Sequence, residues 1–419
     1  MPHDAPVSRG DVIGNRYEIV DEIGEGGFSV VWKGEDLQTG DELVVKHPNF
    51  GSGKSSTSLV KYFDREIEAL DQIGRNGGHK NIMALYDVVE ERQTPFMITE
   101  FIDGEELEDR GGMSDYDLVR RVTSQLCDVF GFLHDIELYY RDLKPDNAML
   151  TTTDDVKLID FNTARKKMKC GNRSCQYTIR PDDIERENCP VCGNEFDSGS
   201  VIMTDRRSPY KPHEVKSPHG RQGPWSDVYS LGKILYYLIT DSVSPNDNLD
   251  PQSRAPNCPD YLAEICTRAT EVEATRRYRN AGIMKLALDQ RTAYPDVPEA
   301  LIRNLNTGTE YTIQPGDTIG CQNAMGPYAS FEVDDPTQGH MSRVHAKFEL
   351  RGSTWVLVDM SLNGTEIDTG FVDPKLIIDP ESWTGRPENA PPRMHELSDG
   401  DVVGVPRIGQ GAEFEFSLR

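Results

Sequence analysis

The fold of this chain is decided by Tyr140-Arg141-Asp142-Leu143-Lys144-Pro145-Asp146-Asn147, which Asp160-Phe161-Asn162 follows thirteen residues after Asn147. The two motifs place a candidate proton acceptor, a phosphate-directed lysine and two metal-binding side chains on one short loop and the strand behind it. Phosphoryl transfer requires such groups, because it depends on positioning and charge neutralisation more than on covalent help from the protein. The pattern therefore predicts a phosphoryl-transfer site.

Four further motifs lie in a matching order around this one. They are a glycine-rich turn, Gly24-Glu25-Gly26-Gly27-Phe28-Ser29-Val30-Val31; a strand-like run, Leu43-Val44-Val45-Lys46; a helical start, Phe63-Asp64-Arg65-Glu66-Ile67; and Met97-Ile98-Thr99-Glu100-Phe101. Downstream, Tyr210-Lys211-Pro212-His213-Glu214 precedes Arg277. Taken in order, residues 10–291 resemble the eukaryotic-like protein kinases of the Ser/Thr branch.

The resemblance implies ATP and Mg²⁺ as cofactors and proteins as substrates. Asp142 would accept or orient the hydroxyl proton, Lys144 would steady the γ-phosphate, and Asn147 and Asp160 would hold magnesium. Lys46 would hold the α- and β-phosphates and pair with Glu66. The nucleotide would be bound by Gly24, Glu25, Gly26, Gly27, Phe28, Ser29, Val31, Lys46, Thr99, Glu100, Ile102, Asn147 and Asp160.

Four positions in residues 10–291 depart from the family pattern. Ser29 replaces the third glycine of the turn, Tyr140 replaces a histidine, and Asn162 replaces the glycine after Phe161. His213 stands where proline is usual. None of these changes removes a catalytic group, and Asn is the non-glycine residue that best tolerates a positive φ. The alternative function is a nucleotide-binding pseudokinase scaffold that recruits phosphoproteins.

The run Gly51-Ser52-Gly53-Lys54-Ser55 matches the end of a second kind of phosphate-binding motif, the P-loop. The first glycine of that pattern falls on Pro48, however. The run also lies between the strand that ends in Lys46 and the helix that carries Glu66. We therefore interpret it as a flexible loop.

Four of the eight cysteines form two pairs within 23 residues: Cys170, Cys175, Cys189 and Cys192. This spacing lets four thiolates bind one tetrahedral zinc ion. Disulfides are the alternative, which the missing secretory signal disfavours. We predict a zinc-ribbon insert over residues 168–197, within the activation segment between Asp160 and Glu214.

The composition changes after a proline-bearing linker at residues 292–299. Short alternating segments separated by Asn-Gly and Asp-Gly turns predict an all-β sandwich over residues 300–419. Ser342-Arg343-Val344-His345-Ala346 and Asp359-Met360-Ser361-Leu362-Asn363-Gly364-Thr365 resemble the forkhead-associated (FHA) domain, which binds phosphothreonine. Phosphothreonine-containing proteins are therefore expected partners.

By this resemblance Ser342 and Arg343 face the phosphate, Asn363 binds the neighbouring peptide backbone, and His345 supports the loops from behind. Cys321 stands where the family carries its main phosphate-binding arginine. A charge-assisted contact of that kind contributes about 1.5–3 kcal/mol. The alternative is a sandwich that acts as a packing or docking module.

The predicted fold class is α+β, with a bilobal kinase domain at 10–291 followed by the FHA sandwich. The small lobe would span about 10–102 and the large lobe about 103–291. A formal charge of −25 and a pI of 4.8 argue against nucleic acid as a partner. No apolar run approaches the ~18 residues of a membrane span, and the first residues show no signal-peptide pattern of basic and then apolar residues. We therefore expect a cytoplasmic protein that does not enter membranes.

Overall fold

The computed structural model describes residues 7–91, 93–136, 138–166, 188–189, 192–194, 208–216, 223–321, 329–333, 341–342, 345–351, 353–361, 364–370, 375–376, 394–405, 408–409 and 411–419. The chain forms two compact units. The first unit contains Met1–Lys166 and Tyr237–Val243, and the second contains Lys167–Tyr236 and Ser244–Arg419. None of the helices within the described ranges is long and apolar enough to span a membrane.

The first unit begins with a six-stranded antiparallel sheet in the order β1-β2-β3-β4-β6-β5. Its strands are β1 (Val12–Ile13), β2 (Tyr17–Glu25), β3 (Ser29–Asp36), β4 (Glu42–Pro48), β5 (Leu85–Glu91) and β6 (Thr94–Glu100). Successive side chains of a strand point to opposite faces. Leu43 and Val45 are therefore buried on one face of β4, in a core with Ile19 and Ile98, while Lys46 lies on the other face.

Helix α1 (Ser56–Arg75) lies between β4 and β5 in the sequence and packs against both strands. Ser55 caps it by accepting a hydrogen bond from the Ser58 N–H at 3.3 Å. The buried side chains recur every three or four residues, the period of one helix face; they are Leu59, Phe63, Glu66, Leu70 and Ile73. Glu66 thus lies on an otherwise apolar face.

The rest of the first unit contains helix α2 and short strands. These elements are β7 (Gly104–Glu106), α2 (Tyr116–Asp135), β8 (Leu138–Tyr139), β9 (Ala148–Thr151), β10 (Val156–Leu158) and β11 (Arg165–Lys166). Strands β10, β9 and β7 form one sheet, and β11 pairs with β8. The loop between β8 and β9 carries the motif Tyr140–Asn147, so two short sheets fix both ends of that loop.

The second unit begins with helices α3 (His213–Lys216), α4 (Pro224–Thr240), α5 (Asp260–Ala269) and α6 (Ala281–Gln290). Helix α4 runs across the division, since its last turn belongs to the first unit. The ion pair that the sequence predicted between Glu214 and Arg277 is present, with 2.6 Å between Oε1 and Nη1. Both side chains are buried, so each charge depends on the other for compensation.

A β-rich region follows α6, as the sequence predicted. Its strands are β12 (Ala300–Asn304), β13 (Glu310–Ile313), β14 (Thr318–Cys321), β15 (Phe331–Val333), β16 (Ala346–Arg351), β17 (Thr354–Asp359), β18 (Glu366–Asp368), β19 (Lys375–Leu376), β20 (Met394–Glu396), β21 (Val402–Val405) and β22 (Ala412–Leu418). They form two sheets, in the orders β13-β12-β22-β21-β18-β19 and β15-β14-β16-β17-β20. Phe348, Trp355, Phe414 and Phe416 are fully buried in this region.

Candidate functional site

The loop between β8 and β9 is closed by Asn147. Its side-chain Nδ2 donates to the Asp142 carbonyl at 2.8 Å, and its backbone N–H donates to the Lys144 carbonyl at 3.1 Å. The Ile159 N–H then donates to the Asn147 carbonyl at 2.9 Å. Asp160 follows directly, so these bonds bring Asp142, Asn147 and Asp160 together although 18 residues separate the first and last of them.

Two residues of this region adopt a left-handed backbone, one on the loop and one after β10. Arg141 has a φ of 71° and Asp160 a φ of 59°, whereas Asn162 is not in this region. The tolerance of Asn for a positive φ is therefore not used at position 162, because the left-handed residue is two positions earlier. The Asn162 N–H instead donates to Oδ1 of Asp160 at 3.3 Å. Positive φ in non-glycine residues concentrates at functional sites.

Lys46 and Glu66 form the ion pair that the sequence predicted. The Lys46 Nζ lies 2.7 Å from Oε2 and 2.8 Å from Oε1 of Glu66, and both side chains are nearly inaccessible to water. Burial opposes the charged form of Lys46, but the carboxylates of Glu66 and Asp160 outweigh burial and raise its pKa. The Phe161 N–H also reaches Oε1 of Glu66 at 3.4 Å. Lys46 is therefore held as a cation near Asp160.

Tyr140 fills the position where the family has a histidine. Its hydroxyl donates to the Ile159 carbonyl, and its ring packs edge-on against Phe161 and Phe130, at centroid distances of 5.0 and 5.8 Å. Burial, followed by the negative charge of Asp160, raises the pKa of Tyr140 well above its ordinary value, so the hydroxyl remains a donor. The tyrosine thus joins the loop between β8 and β9 to the segment that carries Asp160.

Lys144 forms an ion pair with Asp146, a residue that the sequence analysis did not single out. Burial opposes the charged form, but the Asp146 hydrogen bond and charge raise the Lys144 pKa. No pattern in the sequence pointed to Asp146, because the residue lies inside the motif at 140–147 but received none of the roles that the resemblance implies. Its carboxylate fixes the direction of the lysine.

Three of the predicted nucleotide-binding residues, Thr99, Glu100 and Ile102, lie on β6 and just after it. Thr99 is buried, and its hydroxyl has no hydrogen-bond partner among the residues that the structure describes. Glu100 is held by Lys157, whose Nζ lies 2.6 Å from Oε1, and Ile102 is buried. Thr99 pairs with Val44 on the neighbouring strand β4, two residues from Lys46.

The glycine-rich turn connects β2 to β3. Gly24 and Glu25 end β2, while Ser29 and Val31 lie at the start of β3. The Gly26 N–H donates to the Ser29 carbonyl at 2.9 Å and closes the turn. Ser29, the replacement for a glycine, pairs with Pro48 as an ordinary strand residue.

Two of the four predicted zinc ligands, Cys170 and Cys175, lie outside the described residues. Cys189 is buried and Cys192 is partly buried. The Gly193 N–H donates to the Cys189 carbonyl at 2.9 Å, and Gly193 has a φ of 71°. Within the ranges that the structure covers, no group of three or more His, Cys, Asp or Glu side chains is placed to hold a metal.

Arg343 and Asn363 of the predicted phosphopeptide site also fall outside the described ranges. Ser342 donates its N–H to Nδ1 of His345 at 3.1 Å, and Nε2 of the buried His345 contacts the Gly364 carbonyl at 2.9 Å. The Cys321 N–H donates to the Ser342 carbonyl at 3.1 Å. His345 thus joins two loops, as the sequence predicted, and position 321 adjoins Ser342.

The model of the protein kinase domain family matches residues 17–277. This range contains every element of the site in the first unit, together with the Glu214–Arg277 ion pair. The chain therefore belongs to the protein kinase family, in its serine/threonine branch, and has the bilobal α+β fold of that family.

Relatives from bacteria and plants are similar to this chain. Serine/threonine-protein kinase D of Synechocystis sp. is 23% identical over 390 residues, which cover 89% of this chain and 71% of the relative. CBL-interacting protein kinase 1 of Oryza sativa subsp. japonica is 27% identical over 316 residues, covering 70% and 60%. Probable serine/threonine-protein kinase PknB of Lactococcus lactis is 23% identical over 295 residues, covering 70% and 42%. The chain thus spans less than two thirds of the last two relatives.

Proposed function

We propose that the chain transfers the γ-phosphate of Mg-ATP to serine and threonine hydroxyls of protein substrates. The observation that carries this proposal is a pair of hydrogen bonds beside the Lys46–Glu66 ion pair. One bond joins Asn147 to Asp142, and the other joins Asn147 to Ile159, the residue before Asp160. This arrangement supports a single binding site lined by a proton acceptor, two oxygen ligands for a metal ion and a fixed cation. Magnesium prefers such oxygen ligands together with phosphate oxygens.

In the proposed reaction Asp142 accepts or orients the proton of the attacking hydroxyl, and Lys144 neutralises charge on the transferred phosphate. Asn147 and Asp160 are the residues that would hold Mg²⁺, which when bound neutralises the phosphate oxygens. Lys46, kept charged by Glu66, binds the α- and β-phosphates. The Glu100 to Ile102 backbone would face adenine, with the buried Thr99 beside the pocket. Proteins are the proposed substrates, and the cytoplasmic location expected from the sequence is part of the proposal.

The test is transfer of labelled γ-phosphate from ATP to the purified chain and to a generic protein acceptor. Acid hydrolysis of the product should yield phosphoserine or phosphothreonine. A chain that binds ATP but transfers nothing to either acceptor would instead support the nucleotide-binding scaffold. Measuring ATP affinity in parallel therefore separates the two functions.

We further propose that Cys170, Cys175, Cys189 and Cys192 hold one structural zinc ion in an insert over residues 168–197. The spacing of the four thiols supports this proposal. So does the turn at Cys189, where the Gly193 N–H returns to the Cys189 carbonyl at 2.9 Å and a left-handed glycine ends the turn. Four protein thiolates leave no open position for water, so this zinc would be structural rather than catalytic.

For the β-rich region after Ala300 we propose an FHA module that binds phosphothreonine. The bonds that join Cys321 to Ser342, and His345 to both Ser342 and Gly364, support loops held in a defined arrangement at the end of the two sheets. Ser342, Arg343 and Asn363 are the proposed peptide-contacting residues. The linker at 292–299 and the boundaries 10–291 and 300–419 are proposed with it.

A further inference from the structure

The segment Asn49–Lys54, which follows β4, binds three successive carbonyl groups of the glycine-rich turn. Nδ2 of Asn49 donates to the Gly26 carbonyl at 2.8 Å. Nζ of Lys54 donates to the Gly27 carbonyl at 2.6 Å. The backbone N–H of Asn49 donates to the Phe28 carbonyl at 2.9 Å. We call this segment the brace.

These three bonds determine where the N–H groups of the turn point. In a planar trans peptide the carbonyl and the N–H of the same unit point in opposite directions. Because the carbonyls of Gly26, Gly27 and Phe28 face the brace, the N–H groups of Gly27, Phe28 and Ser29 face away from it. Successive backbone N–H groups on one side form a concave anion site.

The brace is itself fixed by hydrogen bonds, although the sequence predicted a flexible loop there. Asn49 is buried, and its Oδ1 accepts from the Gly51 N–H at 3.0 Å. The Ser52 hydroxyl donates to the Asn49 carbonyl at 2.8 Å, which completes a short 3-10 turn. Ser55 then begins α1 as its cap. The structure therefore shows a hydrogen-bonded 3-10 turn where the sequence predicted only a loop.

Lys54 occupies the space beside Gly27. A Cβ atom at residue 27 would lie 2.7 Å from Nζ of Lys54, so a side chain there would make the end of the lysine shift. The ammonium also lies over the Phe28 ring, 3.3 Å from its centroid. A missing side chain and a neighbouring aromatic ring thus place one cation at the tip of the turn.

The tip of the turn is also joined to α1. The ring of Phe28 packs against that of Tyr62, with 4.5 Å between centroids. Tyr62 precedes Glu66 by one helical turn, so both side chains project from the same part of α1. A displacement of the turn would therefore disturb the helix that holds Glu66 against Lys46.

We propose that Lys54 and Asn49 are positioning residues for the phosphates of ATP. By holding three carbonyls away from the nucleotide, they present the N–H groups of Gly27, Phe28 and Ser29 to the β- and γ-phosphates. Lys54 adds a positive charge at the same place. The inference rests on the proposed function, since it takes the glycine-rich turn as the phosphate site.

The experiment compares Lys54→Met, which removes the donor and the charge, with Lys54→Arg, which keeps both. Affinities for Mg-ATP and for adenosine are measured by calorimetry on the full chain, and kcat and KM for ATP by phosphate transfer. We expect Lys54→Met to weaken Mg-ATP binding and raise KM about fivefold, with adenosine affinity unchanged. Lys54→Arg should restore most of the loss. Lys61→Met, an exposed lysine on α1, is the matched control.

A second variant tests the brace without Lys54. Asn49→Asp keeps the oxygen that caps the 3-10 turn but replaces the Nδ2 donor by an acceptor facing the Gly26 carbonyl. It should also weaken Mg-ATP binding selectively. Equal losses for ATP and adenosine would show a merely structural role, and wild-type ATP affinity in Lys54→Met would overturn the proposal. If the wild-type chain itself binds no Mg-ATP, or transfers no phosphate, the proposed function fails instead.

Discussion

Lys46 donates hydrogen bonds to both carboxylate oxygens of Glu66, at 2.7 and 2.8 Å. The two residues come from neighbouring elements, strand β4 and helix α1, and both are nearly buried. A buried charge that loses its partner is costly, whereas the intact pair is compensated. The position of α1 is therefore linked energetically to the cation that would hold the phosphates of ATP.

Replacing Glu66 by alanine should destabilise the chain by about 3–5 kcal/mol, because Lys46 would be left buried and unpaired. Phosphate transfer should fall as well, since Lys46 would no longer be held toward the phosphates. Urea unfolding and initial rates at saturating ATP provide the two measurements. Glu68→Ala, an exposed carboxylate two residues along α1, should change stability by less than about 0.5 kcal/mol. Equal effects of the two variants would contradict the role of the pair.

Asp142→Asn should reduce phosphate transfer by about 10²- to 10⁴-fold, because the amide cannot accept the hydroxyl proton. ATP binding should remain near the wild-type value, since Asp142 acts on the other substrate. Asp160→Ala should weaken Mg-ATP binding in addition. Labelled transfer and calorimetry distinguish the two variants, and Asp117→Asn on the surface of α2 serves as the control. Autophosphorylation of Asp142→Asn at the wild-type rate would remove Asp142 from the mechanism.

Residues that act through local chemistry were predictable from the sequence. Lys46, Glu66 and Asp142 carry charges within recognisable motifs, and their order along the chain predicted the ion pair. Contacts that depend on how distant segments meet were not predictable in this way. Asn49 and Lys54 serve the glycine-rich turn only because β3 and β4 pair and bring residue 49 beside residue 28. The P-loop likeness around Lys54 was the one signal, and it indicated a different motif.

The position of backbone strain was not predictable from the sequence. Asn162 replaces a glycine and could tolerate a positive φ, but the left-handed residues of this site are Arg141 and Asp160. The hydrogen bonds of Asn147 and Ile159 set the path of the chain there. When neighbouring segments fix both ends of a turn, residue preference alone does not determine which position adopts the left-handed conformation.

Tyr17 provides a test of pH dependence. Burial, and then its hydrogen bond to Asp87 at 2.8 Å, raise the Tyr17 pKa to about 12. Because the folded pKa exceeds the unfolded value of about 10, the stabilisation is complete below about pH 10 and is lost as the pH rises toward 12. Tyr17→Phe should therefore cost about 1 kcal/mol at pH 7 and at pH 9. The difference from wild type in urea unfolding should shrink above pH 10, and a difference that grew there would contradict the assignment.

Zinc content provides a further prediction. If four thiolates bind one ion, elemental analysis should give one zinc per chain, and the double variant Cys189→Ser with Cys192→Ser should lose it. Cys321→Ser, outside the proposed insert, should retain it. Zinc sites of this kind contribute about 10–16 kcal/mol of apparent binding free energy to folding. Strong chelation should therefore lower substrate phosphorylation more than ATP affinity, since the proposed nucleotide-binding residues lie outside the insert. A metal-free chain with oxidised thiols would support the disulfide alternative.

Cys321→Arg tests the proposed FHA module. The hydrogen bond from the Cys321 N–H to the Ser342 carbonyl places this position beside a proposed phosphate-contacting residue. A guanidinium directed at phosphate contributes about 1.5–3 kcal/mol, so the variant should bind phosphothreonine peptide roughly tenfold more tightly or better at low salt. Affinity for the unphosphorylated peptide should stay almost unchanged. Calorimetry on the full chain carrying Asp142→Asn avoids phosphorylation of the peptide, and Cys321→Met controls for side-chain size. If neither wild type nor Cys321→Arg shows phosphate-dependent binding, the β-rich region is a packing or docking module.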